Sequence, residues 1–192
     1  MIAVQLNNTN VILNKQLIAH KDSITTAIRN LDVKVISEAP DTLKICYQLT
    51  GDITQIRIPS PQQPSCVDGL WKHTCFEMFI AVESEDNYHE FNFSPSGQWA
   101  AYAFSNYRLR NKWISTQSPT IRIDQSSNYF ILEAKITTTD LSIKINNKSL
   151  QVGLTAVLEE QNGSLSYWAL QHSDICPDFH NRAGFTPLIH QN

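Results

Sequence analysis

From Asp32 onward the chain is a succession of short extended runs cut by turn residues, and no stretch between them keeps the roughly 3.6-residue apolar period of a long helix. The runs cover 33–37, 42–49, 55–58, 70–83, 88–94, 99–104, 120–124, 129–136, 150–159 and 165–171. Thr50-Gly51-Asp52, Ser94-Pro95-Ser96-Gly97 and Asn162-Gly163 each supply a residue that tolerates positive φ, and Asn-Gly between two such runs is a strong hairpin signal. Strands at this spacing close into an antiparallel sandwich or barrel. Composition agrees: 20 Ile and 14 Thr outnumber 12 Ala, and β-branched side chains pack well on pleated surfaces. Length and apolar content suit one domain over 1–192. Residues 1–31 read as an N-terminal extension with a helical stretch at 22–31 that Ser23 caps.

The charge pattern excludes several partners. Fifteen Lys and Arg against 18 Asp and Glu give a net charge of −3 without a basic stripe, which argues against nucleic acid. No apolar run approaches the roughly 18 residues that cross a bilayer, so no membrane is expected. The start, MIAVQLNNTN, has neither a basic region nor a continuous apolar one, which points to the cytoplasm. Cys46, Cys66, Cys75 and Cys176 form no CxxC pair and read as reduced, mostly structural thiols. Two long connections, 59–69 with three prolines and 105–119 with Tyr107, Arg108, Arg110 and Trp113, are surface loops of the kind that carry binding groups.

The densest chemistry lies in Leu70-Trp71-Lys72-His73-Thr74-Cys75-Phe76-Glu77-Met78-Phe79-Ile80. On a strand, Trp71, His73, Cys75 and Glu77 share one face, while Phe76, Met78 and Ile80 share the other and read as core. In the next run Tyr88, Glu90, Asn92 and Ser94 alternate against His89, Phe91 and Phe93. Adjacent pairing of the two runs gathers Glu77, Glu90 and Asn92 on one face. An ordinary solvated sheet face explains such a pattern equally well.

The stretches LWKHTCFEMFI, YHEFNFSPSGQWAAYAFSNYR and SYWALQHSDICPDFHNRAGFTPLI, in this order, resemble bacterial DOMON-like domain proteins, which are similar to family 9 carbohydrate-binding modules. The resemblance runs from about residue 17 to the end. It implies a β-sandwich whose relatives bind sugars or haem and do no chemistry, hence a non-catalytic module for a small, sugar-like ligand. It also implies an indole at Trp71 and a hydroxyl-binding carboxylate at Glu77, with a second wall from Phe179 or His180. An aromatic face takes the C–H side of a pyranose, while carboxylates and amides take its hydroxyls. The ligand set on this reading is Trp71, His73, Glu77, Glu90, Asn92, Arg108, Phe179 and His180, with Arg108 either on a ligand hydroxyl or paired with Glu77 or Glu90.

Two rival readings stay open. Haem-binding relatives ligate iron through Met and His, and Met78 is the only Met beyond Met1, on the face assigned to the core. His172, Cys176 and His180, with His73, are the weak zinc candidates, at a spacing that fits no standard signature. Either cofactor implies a redox or enzymatic role. A scaffold that docks a partner protein is the third alternative. Trp99 and Trp168 read as packed residues, and Trp113 as a loop residue of interest.

Overall fold

Alternation decides the architecture, because a strand that buries every second residue on one side must find a second layer to cover it. The computed structural model describes residues 10–23, 25–142, 148–173 and 175–188. Its strands are β1 (Asn10–Ala19), β2 (Ile28–Ala39), β3 (Thr42–Gly51), β4 (Cys75–Val82), β5 (Tyr88–Phe93), β6 (Trp99–Asn106), β7 (Leu109–Arg110), β8 (Thr120–Gln125), β9 (Tyr129–Thr137), β10 (Leu150–Glu159), β11 (Leu165–Ala169) and β12 (Thr186–Pro187). One antiparallel sheet runs β1-β2-β3-β9-β8 and the other β7-β6-β5-β4-β10-β11, with β12 beside β11 on the same edge of β10. The all-β sandwich expected from the sequence is what the chain forms. β1 joins the two sheets, pairing β2 through Leu17 and β11 at Ile18 and Ala19.

The core lies between the sheets. Tyr47 of β3 sits 5.1 Å from Phe76 of β4 by ring centroids, and Phe76 stacks on Phe130 of β9 at 5.7 Å. The Tyr47 hydroxyl crosses the layer and donates to the Glu77 carbonyl at 2.6 Å, so the one polar atom in this contact has its partner. Met78 is fully buried here among the core residues, away from solvent.

β3 and β9 alternate buried and half-buried, as a sheet with one wet face should. β4 and β5 differ: every residue in both strands is buried. Their outer face is covered, not solvated as an ordinary sheet face would be. A second apolar cluster of Phe79, Ala81, Tyr88, Ala100, Tyr102 and Phe104 lies there, with Leu70, Phe179 and Phe185 packed on it. Phe185 comes from the C-terminal segment and packs against Gly153, where an added Cβ would stand 2.6 Å from its ring, so a side chain there would force Phe185 to move.

Several sequence expectations need correction. Residues 28–31 belong to β2, not to a helix, and Ser23 caps nothing helical: its Oγ accepts from the Tyr167 N–H at 2.9 Å. Residues 10–19, read as part of an extension, form β1 inside the sandwich. The run at 55–58 is a 3-10 turn, Ile53–Gln55, followed by a lone bridge from Ile56 to Glu160. The run at 70–83 starts late. Gly69 holds a left-handed φ of 82° and leads into a 3-10 turn, Leu70–Lys72, so the strand begins only at Cys75. The loop at 59–69 is ordered against the edge of β6 through Val67 N–H to the Trp99 carbonyl and Trp99 N–H to the Ser65 carbonyl.

Candidate functional site

The outer face of β4, β5, β6, β10 and β11 forms the floor of a cavity of about 570 Å³. Register places its groups. Glu77 pairs with Asn92 across β4 and β5, Phe79 pairs with Glu90, and Thr155 of β10 sits opposite Glu77 on its other side. Glu77 and Glu90 are thus diagonal neighbours on one face, both lining the cavity. Tyr102 and Phe104 of β6 form one side of the hollow, and Leu165 and Tyr167 of β11 the other. The C-terminal loop closes it with Pro177, Phe179 and His180, and Trp71, 39% exposed, stands at the mouth edge-on to Tyr102 at 5.9 Å.

Hydrogen bonds fix these walls. The Tyr102 hydroxyl donates to Asp68 at 2.5 Å, and the Arg110 guanidinium lies 4.0 Å over the Tyr102 ring and 3.6 Å from Asp68. Asp178 holds the C-terminal loop to the β6–β7 turn: it accepts from the Tyr107 hydroxyl at 2.6 Å and from Arg108 at 2.7 Å. Burial works to raise the Asp178 carboxyl, but these bonds outweigh it and hold the group below its ordinary range. Arg108 adopts a left-handed φ of 53°, and its N–H donates to the Tyr88 hydroxyl at 3.0 Å. The Tyr88 hydroxyl shares a hydrogen bond with His180 Nδ1 at 2.8 Å, and His180 Nε2 lies 3.7 Å from Glu90. Burial, then the Arg108 charge, pushes His180 down to about 4, so the ring stays neutral.

The floor is electrostatically unusual. Glu77 is 3% exposed; its Oε2 accepts from Thr155 at 3.3 Å, while Oε1 has no partner among the described residues. Burial, reinforced by the Glu90 charge, pushes Glu77 well above the usual carboxylate range. Burial likewise raises Glu90 to about 7 despite the Asn92 amide, which donates to its Oε1 at 2.6 Å. Cys75 donates to Asn92 at 3.5 Å, and burial followed by the two carboxylates drives its thiol up. That makes it a poor thiolate nucleophile.

Of the residues chosen from sequence, Trp71, Glu77, Glu90, Arg108, Phe179 and His180 line the cavity. Asn92 is buried behind it as the anchor of Glu90. His73 lies elsewhere, 2.8 Å from Glu159, whose other oxygen pairs with Arg57. Arg108 makes an ion pair as expected, but with Asp178 and not with Glu77 or Glu90. The zinc candidates do not converge: His172 bonds the Ile18 carbonyl, His180 bonds Tyr88, and Cys176 is exposed. Among the described residues no group of three or more His, Cys, Asp or Glu is placed to hold a metal. Trp113 packs edge-on to His89 at 4.7 Å and donates to the Asp140 carbonyl, pinning its loop far from the cavity. Sequence reasoning missed Tyr102, Phe104 and Tyr167, and named Arg110 only as a residue of the 105–119 loop. Alternation in 99–104 and 165–171 places Tyr102 with Phe104 and Tyr167 with Leu165, but only the strand order turns both pairs toward Glu77.

No protein-family model matches the chain, and no curated protein does. Among solved structures, a Bacteroides uniformis protein provisionally named as carbohydrate-binding superposes with a TM-score of 0.67 at 15% identity, over 92% of this chain and 85% of that one. This likeness shows a shared sandwich fold. A family 9 carbohydrate-binding module from Caldicellulosiruptor kristjanssonii, solved with cellotriose, aligns with a TM-score of 0.49 at 12% identity, over 93% of this chain and 78% of that one.

Proposed function

We propose that this protein is a non-catalytic module that binds a small carbohydrate in the cavity between Trp71 and the C-terminal loop. The observation that carries the reading is a buried carboxylate, Glu77, with an oxygen that no described residue satisfies, at the bottom of a hollow walled by Trp71, Tyr102, Phe104, Tyr167 and Phe179. Aromatic faces receive the C–H side of a sugar ring, and a buried acceptor without a donor is an address for a hydroxyl or ammonium hydrogen. A volume of about 570 Å³ accommodates one or two sugar rings. The Bacteroides protein of the same fold, named for carbohydrate binding, supports this choice over other ligands. Calorimetric titration with monosaccharides and disaccharides tests it, alongside a Trp71→Ala variant. Loss of binding in a folded variant is expected; unchanged affinity for a sugar that binds the wild type would remove Trp71 from the site.

A further inference from the structure

Two carboxylates without a cation between them raise the question of what the ligand must bring. Glu77 and Glu90 share the floor as diagonal neighbours, roughly 7–8 Å apart at the backbone, a gap that both side chains can lean into. Three Lys and Arg side chains line the same cavity: Arg108 is held by Asp178 and Arg110 by Asp68, both at the rim, and Lys72 is exposed on the 3-10 turn beside Trp71. Glu90 Oε1 has the Asn92 amide and Glu77 Oε2 the Thr155 hydroxyl, both neutral donors, while Glu77 Oε1 has none. Protons compensate this pair, as the raised Glu77 and Glu90 carboxyls show, and a neutral ligand leaves them in place. A protonated amine replaces them, because it donates to the open oxygen and stabilises the ionised pair. The surrounding rings favour a cation as well, since their faces are negative.

We propose that the floor of the cavity is an ammonium site, so that the ligand is an amino sugar with a free, protonated amine. The sugar part of this statement rests on the carbohydrate-binding reading above; the ammonium part rests on the floor alone. Acetylation of the amine removes the charge and adds bulk, so an N-acetylated sugar is disfavoured.

The test titrates the full chain at neutral pH with glucosamine, glucose, N-acetylglucosamine, glucuronate and cyclohexylamine. Glucosamine is expected to bind roughly tenfold or more tighter than glucose and N-acetylglucosamine, a gap of about 1.4 kcal/mol. Glu77→Gln, an isosteric change whose fold a thermal melt verifies, is expected to cut the glucosamine-to-glucose affinity ratio at least about fivefold. Glu90→Gln should lower the same ratio and carries the test if the first variant does not fold. Glucose or N-acetylglucosamine binding as tightly as glucosamine, or glucuronate binding tightest through the rim cations, would overturn the ammonium site and leave sugar binding standing. Cyclohexylamine binding with no sugar bound would do the reverse. Silence from all five ligands would sink both.

Discussion

The two faces of β4 and β5 are made by alternate residues of the same two strands, yet they end in opposite conditions. The inner face, Phe76, Met78 and Ile80 with Phe91 and Phe93, is apolar and packs in the core between the sheets, with His89 its polar exception beside Trp113 and Ser142. The outer face, Cys75, Glu77 and Phe79 with Tyr88, Glu90 and Asn92, is just as buried but polar, and its closure over Glu77 is incomplete. Packing therefore stabilises one side, while the other holds desolvated carboxylates at a cost in stability. A face that is buried, polar and unsatisfied is better explained by a ligand than by folding.

The largest expected break in this contrast is on the inner side. Phe76→Ala removes a ring in contact with both Tyr47 and Phe130 and should lower unfolding stability by about 3–5 kcal/mol in denaturant titration. A loss under about 1 kcal/mol would show that the layer repacks freely.

On the outer side the measurable quantity is pH dependence. Glu90 sits at about 7 in the fold and returns to its ordinary 4.5 on unfolding. Between these values the folded state keeps a proton that the unfolded chain has released, so stability falls as pH rises through this window. Glu77 acts in the same direction. His89 and His180, lowered by burial from 6.5 to about 4, act oppositely, adding stability as pH rises from 4 to 6.5. The two effects offset in moderately acid solution. Glu90→Gln isolates one of them: its stability relative to wild type should improve between pH 5 and pH 8, by up to about 3 kcal/mol. A gap that stays constant across that range would mean that Glu90 titrates normally.

A smaller effect belongs to the loop that covers the outer face. Asp178→Asn weakens the contacts to Tyr107 and Arg108 and should cost about 1 kcal/mol, with faster amide exchange confined to the C-terminal loop. Protection lost equally in β4 and β5 would contradict a local role. Trp71→Ala is the smallest, within about 1 kcal/mol, because the indole is 39% exposed on a single 3-10 turn. If the proposed function holds, the same variant abolishes sugar binding, so one substitution separates ligand binding from stability.

Much of this was legible in local pattern. Alternation alone assigned Phe76, Met78, Phe91 and Phe93 to one side and Glu77, Glu90 and Asn92 to the other, because a strand has only two faces. What local pattern could not carry was anything set by distant pairing. Arg108 finds Asp178 some 70 positions away, and Tyr167 reaches the cavity only because β10 lies between β4 and β11. Trp71 and His73 were placed on the strand of Glu77, but the left-handed Gly69 and the 3-10 turn after it bend the chain first. His73 then turns to Glu159, leaving Trp71 at the mouth. The stretch at 22–31 has helix-like capping chemistry, and sheet pairing with β3 overrides it.

The strand that ties the two sheets together also sets the order of assembly. Ile18 and Ala19 find their partners in Ala169 and Trp168, about 150 residues later. A chain made from its N-terminus exposes that end of β1 as an open edge until β11 has been synthesised, while β2 can zip onto the rest of β1 early. Closure of the sandwich is thus a late step. A nascent chain paused before residue 165 holds a half-built seam that is available for misassembly with a neighbour.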